Sequence, residues 1–557
     1  MLRFTLFALL ASLSLSAAAA KPKLVLQITV DGLRGDMLQR DYDKFGSGGF
    51  RFLLDEGAVY TDARYLHANT ETIVGHTTLA TGATPAVHGM VGNVWYHADT
   101  GELGYNIEDP DSPLLPTREE AVTGAQVDPA QKRARSKGRS PTGILVPTFS
   151  DTLAIATAGE AKIFGISGKD RSAVAMAGKT GTAYWYSTDT GDFVTSGWYM
   201  DAYPEWVRNW NGARKAEALA GTDWELLLKP NRYRYGAQDD RPYEVDLRGY
   251  GRVFPHPFGP VDDPLFPTRL LVSPEGDKLL ADFARALIEA EQIGRDEVTD
   301  FLSISFSGVD AVNHFFGPSS LENEDTVLQL DRTLSQLLDF IDRRIGLENV
   351  LVVLSADHGM AEMPEYTSEL GFPAGRLYAD EVLKHARQFT EKTFGSADIV
   401  KDFFRPYLYL DGDALAAASQ ERAVVAAQLA RELATIPGIG AALPSNVAQV
   451  SSALGTHRAI AYNHHPQRSG DIYVAQAPYW FMFDRGAVAA MHGSPWSYDQ
   501  HVPIVFLGID IPAQQVKRRV HPIDVAPTLS ALLGLSPPAG AQGEVLAETL
   551  PARSIQD

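Results

Sequence analysis

Four short, largely continuous apolar runs constrain this chain most: Leu24 to Val30, Phe301 to Phe306, Val350 to Leu354 and Val502 to Leu507. A strand that is apolar along most of its length has to be covered on both faces, as strands of a parallel sheet are when helices pack above and below. Helical patterns lie between the runs. Leu280, Phe283, Ala284 and Leu287 share one face of the first, and Val327, Leu330, Leu334, Leu337 and Ile341 share one face of the second. Strands alternating with such helices predict an α/β fold, a doubly wound, mainly parallel sheet with helices on both faces. In sheets of that kind ligands gather at the carboxyl ends of the strands.

Three stretches break the alternation and read as insertions over the edge of the sheet, at roughly 94–147, 180–270 and 380–490. The first carries a basic run, Lys132, Arg133, Arg135, Lys137 and Arg139, which reads as a solvated loop. At the N-terminus, Arg3 precedes an apolar stretch from Phe4 to Leu15, and Ala18-Ala19-Ala20 follows. A basic start, a short apolar segment and a small-residue cleavage site predict a secretory signal peptide over 1–20, and hence a periplasmic or secreted protein. The mature catalytic region would then be 21–557, and no later segment is apolar for long enough to suggest stable membrane insertion.

Charge and cysteine usage narrow the chemistry. The formal net charge is −20, from 49 basic and 69 acidic residues, which argues against a nucleic-acid partner. Cysteine is absent, so a metal would have to bind through His, Asp, Glu or hydroxyl groups. Possible ligands of these types end the apolar runs. Asp31 follows Val30, Asp310 and His314 follow the run ending near Ser307, and Asp357-His358-Gly359 follows Ser355. His492-Gly493-Ser494 precedes the last run. One Asp after a strand is an ordinary turn or cap residue. Three carboxylates and three imidazoles at one end of a sheet suit two zinc ions with open coordination positions. Lys169 and Arg171, two residues apart after the strand Ala161 to Ile166, could clasp one anion if that segment were extended.

These residues, in this order, closely resemble the alkaline phosphatase superfamily, in particular its bacterial alkaline phosphatases with a threonine nucleophile. The resemblance rests on Asp31, Asn69-Thr70-x-Thr72-x-x-Gly75-His76, Gly92-Asn93, Lys169-x-Arg171, Asp310-x-x-x-His314, Asp357-His358-Gly359 and His492-Gly493-Ser494. The helix signal Asp524-Val525-Ala526-Pro527-Thr528-Leu529 adds to it, and together the matches span nearly the whole mature chain. The resemblance implies hydrolysis of small-molecule phosphate monoesters through a covalent phosphothreonine at Thr72. Asp310, His314 and His492 would hold the zinc that carries the hydrolytic water. Asp31, Asp357 and His358 would hold the second zinc, with Thr72 as its exchangeable ligand. Asn93, Lys169 and Arg171 would bind the phosphoryl oxygens. A threonine hydroxyl is a weak nucleophile at neutral pH and needs such a neighbour. A monomer is expected.

Other readings compete. A phosphodiesterase or nucleotide pyrophosphatase of the same superfamily would use the same metals and threonine, and the pair Lys169 and Arg171 argues for the more highly charged monoester. An inactive periplasmic metal- or phosphate-binding protein would be expected to lack a ligand or the nucleophile. Gly178-Lys179-Thr180 lacks the earlier glycine of a phosphate-binding loop, since Ala173 stands there. His67, His76, His88, His464, His465 and His501 are expected to be structural or solvated.

Overall fold

The computed structural model describes residues 21–97, 101–117, 128–446, 455–486, 488–508 and 510–550. The expected signal peptide lies outside the described residues. The centre of the molecule is a nine-stranded sheet. Its strands in chain order are β1 (Leu24–Val30), β2 (Ala58–Arg64), β3 (Ile163–Ser167), β4 (Thr182–Tyr186), β5 (Phe193–Val194), β6 (Asp300–Phe306), β7 (Val350–Ser355), β8 (His501–Leu507) and β9 (Gln514–Val520). Across the sheet they run β9-β2-β8-β7-β1-β6-β3-β4-β5.

The middle of the sheet is parallel, as the apolar runs require. β1 lies between β6 and β7, with Val30 level with Phe306 and Thr29 level with Ser355. Every residue of β1, β6 and β7 is buried. One run departs from expectation: β8 is antiparallel to both β7 and β2. Its five central residues are buried like those of the parallel strands, so the composition of a covered strand carries no direction. The reversal brings the start of β8 to the carboxyl ends of β1, β6 and β7. The loop that contains His492 therefore arrives at the same edge as the other ligands. Two strands of the 180–270 stretch, β4 and β5, extend the sheet.

Helices cover both faces. Those that matter for the site are α1 (Thr72–Thr81), α2 (Asp170–Ala177), α3 (Pro274–Ala290), α4 (Gly308–Phe316) and α5 (Leu321–Ile345). The apolar stripes of α3 and α5 are buried as their period predicts, with Phe283, Leu287, Leu334 and Ile341 fully enclosed. Every residue of α1 is buried, which is unusual for a helix with so many threonines. Two of the hydroxyls are satisfied within the helix, Thr78 Oγ1 donating to the Val74 carbonyl and Thr81 Oγ1 to the Thr77 carbonyl. The close approach of α1 to the β7 edge depends on Gly75, where a Cβ would lie 1.9 Å from the Asp357 carbonyl oxygen.

The 380–490 stretch builds a separate four-stranded antiparallel sheet, ordered Val400–Phe404, Tyr407–Leu410, Ile472–Gln476 and Ile439–Pro444. Its own apolar cluster includes Val382, Leu408, Leu429 and Val474. Among the described residues no helix is long and apolar enough to cross a membrane.

Candidate active site

The in-register ends of β1, β6 and β7 put their next residues side by side. The Asp31 amide donates to the Phe306 carbonyl (2.9 Å) and the Gly32 amide to Asp357 Oδ1 (3.1 Å). Asp310 and His314 lie one turn apart on α4, so both face the same side. Two groups of ligand atoms result, Asp310 with His314 and His492, and Asp31 with Asp357 and His358. Within each group the atoms lie within 4.8 Å of one another. The His358 and His492 rings stack at 3.5 Å, which places the groups side by side.

The donor chemistry fits metal ions. Each histidine commits Nδ1 to a backbone carbonyl: His314 to Ala490 (3.0 Å), His358 to Gly359 (2.8 Å) and His492 to Thr70 (2.8 Å). With the proton on Nδ1, each ring turns the lone pair of Nε2 toward the carboxylates, the arrangement a metal-binding imidazole needs. The Nε2 atoms lie 3.2 Å from Asp31 (His358), 3.4 Å from Asp310 (His314) and 3.7 Å from Asp310 (His492). Asp31 Oδ1, Asp310 Oδ1, Asp357 Oδ2 and His358 Nε2 are buried without a well-formed hydrogen bond. Buried polar atoms are ordinarily satisfied, so this convergence marks a place for cations.

Electrostatics point the same way. Burial alone would raise the Asp31 carboxyl, but the Lys169 ammonium beside it wins and holds it at about 2. Asp310 is likewise opposed by burial and held well below the usual range by His314 and Lys169. Burial pulls His358 down, but the Asp357 and Asp31 carboxylates bring it up to about 9. His492 is pushed well below its ordinary value, by burial first and then by His358.

Thr72 opens α1, at the helix end whose dipole favours negative charge. Arg171 NH2 lies 3.5 Å from Thr72 Oγ1, while its NH1 donates to Asp128 Oδ2 at 2.6 Å. Asn93 Oδ1 accepts from the Ile73 amide at 3.2 Å, so Asn93 sits against the same helix end. Lys169 Nζ pairs with Asp31 Oδ2 at 2.7 Å and with Asp310. The expected residues therefore converge, but not as the extended clasp suggested. Lys169 is extended, as expected, but α2 begins at the next residue and Arg171 lies inside it, so the two side chains do not leave one extended segment. Asn93, Lys169, Arg171, Asp310, His314 and His492 line one cavity of about 490 Å³.

Two further histidines bond to the frame around the site. His76 is fully buried, with Nδ1 2.9 Å from the Thr72 carbonyl and Nε2 2.8 Å from Ser305 Oγ. His501 turns to the Thr61 carbonyl (3.0 Å). The Lys179 and Thr180 amides donate to Asp151 Oδ1. The basic run divides: Arg139 is buried and pairs with Asp170 at 2.7 Å, while Arg135 and Lys137 are exposed at the cavity rim. Sequence reasoning missed Glu71, Asp128 and Arg405. Glu71 lay in view inside the threonine motif. The other two come from excursions, and nothing in their spacing ties them to the site.

Residues 25–495 match the family model of type I phosphodiesterases / nucleotide pyrophosphatases. A protein of Myroides odoratus named calcium-transporting ATPase is 33% identical, the match covering 98% of this chain and 97% of that one. Alkaline phosphatase PafA of Elizabethkingia meningoseptica is 31% identical over 96% of this chain and 95% of its own. The crystal structure of wild-type PafA superposes with a TM-score of 0.86, covering 96% of this chain and 99% of that chain.

Elemental analysis of the purified protein is expected to find two transition-metal ions per chain, and one after Asp310→Ala. An unchanged metal content in that variant would contradict the assignment of its group.

Proposed function

We propose that this chain, which belongs to the type I phosphodiesterase / nucleotide pyrophosphatase family within the alkaline phosphatase superfamily, hydrolyses phosphate monoesters through a covalent phosphothreonine at Thr72. It is a phosphatase, similar over nearly its whole length to enzymes named alkaline phosphatases. The observation that carries the finer reading is the place of Thr72 Oγ1, beside Arg171 and at the amino end of a buried helix. The relative named as an ATPase is compatible with it, because a terminal phosphoanhydride presents the same dianionic phosphoryl group as a monoester.

In this reading Asp31, Asp357 and His358 hold one zinc ion and Asp310, His314 and His492 the other. Zinc lowers the pKa of a bound hydroxyl and stabilises the negative charge of attacking and leaving oxygens. The chain's own residues do the rest. Thr72 Oγ attacks phosphorus, its proton is lost, and the bond from phosphorus to the alcohol oxygen breaks as that oxygen takes up a proton. Water then attacks the phosphothreonine, the bond to Thr72 Oγ breaks, and inorganic phosphate leaves with the threonine hydroxyl restored. The Arg171 guanidinium can fork across two phosphoryl oxygens, and Asp128 keeps it aimed. Asn93, with its carbonyl oxygen taken by Ile73, has amide N–H groups to offer a third. Lys169 tempers the repulsion between Asp31 and Asp310.

The monoester is favoured over the diester because a second alkoxy group would remove one charge and one oxygen from that set of donors. Asp310→Ala aside, the fold and metals should tolerate Thr72→Ala, which is expected to lose most activity. Acid quenching of the native enzyme with substrate is expected to trap phosphate on the peptide containing Thr72. A near-native rate without a labelled peptide would reject the covalent route.

Lys169 also neutralises two buried aspartates, so Arg171→Ala is the cleaner probe of substrate class. Losing one preorganised donor costs on the order of a hundredfold in rate. Arg171→Ala is expected to lower kcat/KM for an aryl monoester by about that factor and for the matched diester far less. Equal losses for both substrates would remove the main support for monoester selectivity.

A further inference from the structure

Arg405 lies in the tight connection between Val400–Phe404 and Tyr407–Leu410, on the small sheet, yet its side chain ends at the catalytic edge of the large one. It is 3% exposed. NH1 donates to the Gly493 carbonyl at 3.2 Å and NH2 to Glu71 Oε1 at 3.3 Å. Glu71 is itself buried, and its other oxygen accepts the Asn93 amide at 2.5 Å. One guanidinium thus touches the residue before Thr72 and the residue after His492, and reaches Asn93 through the Glu71 carboxylate.

Local sequence has made room for this contact. Gly493 has φ of +97°, and a Cβ there would lie 2.8 Å from Arg405 NH2. A side chain would displace the guanidinium. The same excursion sends in a second polar hold, since Asn463 Oδ1 accepts the Asn69 amide (3.1 Å) and Asn463 Nδ2 donates to the Val91 carbonyl (3.2 Å). Two segments of the site, 69–72 and 91–93, are held from this side.

We propose that Arg405 is a positioning residue for the reaction: through Glu71 it sets Thr72 and Asn93 relative to each other, and through the Gly493 carbonyl it fixes the loop that presents His492. The inference rests on the reading of Thr72 as nucleophile and Asn93 as phosphoryl donor. A buried ion pair is weak evidence for stability, because desolvation offsets most of the attraction. What it supplies here is direction. The guanidinium presents N–H groups in a rigid fork, so two acceptors on different segments are held at a fixed spacing, which a lysine ammonium would not enforce. Small misplacements of reacting groups are costly in rate even when binding survives.

The test uses the metal-loaded full chain and four proteins: native, Arg405→Ala, Asn93→Ala and the double variant. Arg405→Ala is expected to lower kcat for an aryl monoester by about thirty- to a hundredfold with KM changed little. Metal content and a cooperative thermal transition should be retained. In the Asn93→Ala background the same change should cost markedly less, because part of what Arg405 positions is already gone. Equal losses in both backgrounds, or a native rate for Arg405→Ala, would overturn the proposal. If Arg405→Ala does not yield folded protein, Arg405→Lys keeps the charge beside Glu71 but not the fork, and the same comparison applies. A native rate for Asn93→Ala would sink the role of Asn93 instead. Arg405→Ala would then still have to lower kcat, through Thr72 and His492, for the proposal to stand.

Discussion

Three aspartates without solvent exposure, Asp31, Asp310 and Asp357, stand close together at one edge of the central sheet, and the rest of the structure answers to their repulsion. Burial disfavours an ionised carboxylate by several kcal/mol, and each neighbour of like charge adds to the cost. Lys169 supplies one positive charge, paired with Asp31 and Asp310. Even with Lys169 and a His358 raised to about 9 among them, the three carboxylates leave the cluster net negative and would oppose a phosphoryl dianion. Two divalent cations would reverse the sign of the site and make the anion welcome. The same negative charge that defines the metal positions is therefore what makes the substrate's binding depend on them.

The architecture assembles that charge from segments far apart in sequence. Parallel strands in register bring two of the aspartates to one line, and the first turns of α4 carry the third. The reversed strand β8 delivers the His492 loop to the same edge. His314, His358 and His492 are each fixed by a backbone carbonyl on Nδ1, so their ring orientation is set by the fold. The helix that opens with Thr72 is drawn in against the Asp357 turn where Gly75 leaves space. Excursions from the sheet then complete the surroundings: Asp128 holds Arg171, and Arg405 holds Glu71. The layered core sets the candidate metal ligands, and the added segments set the groups around Thr72 and Arg171.

Much of this was legible in the sequence because parallel strands leave strong traces. A buried run followed by Asp names both a strand and the edge where that carboxylate will lie; Asp31 and Asp357 could be placed that way, and Asp310 through the helix that follows its strand. His314 followed from helical spacing. Strand direction was not legible: β8 has the composition of its parallel neighbours, and only pairing reveals that it runs the other way. The conformation at Arg171 was misread for a related reason: Lys169 is extended, but a helix begins immediately after it and local pattern gave no warning. Asp128 and Arg405 were invisible because their contacts close loops of 43 and 334 residues. Such contacts carry no local periodicity. Glu71 was within sight but had no partner in the sequence to give it meaning.

The central claim is that phosphorus passes through Thr72 on its way to water, and stereochemistry tests that most directly. The phosphoryl group of an isotopically chiral monoester would be transferred by the enzyme to an acceptor alcohol, and the configuration at phosphorus in the product read by phosphorus NMR. Two in-line displacements, the first by Thr72 and the second on the phosphothreonine, require net retention. Inversion would mean a single direct displacement, and the covalent account would be wrong.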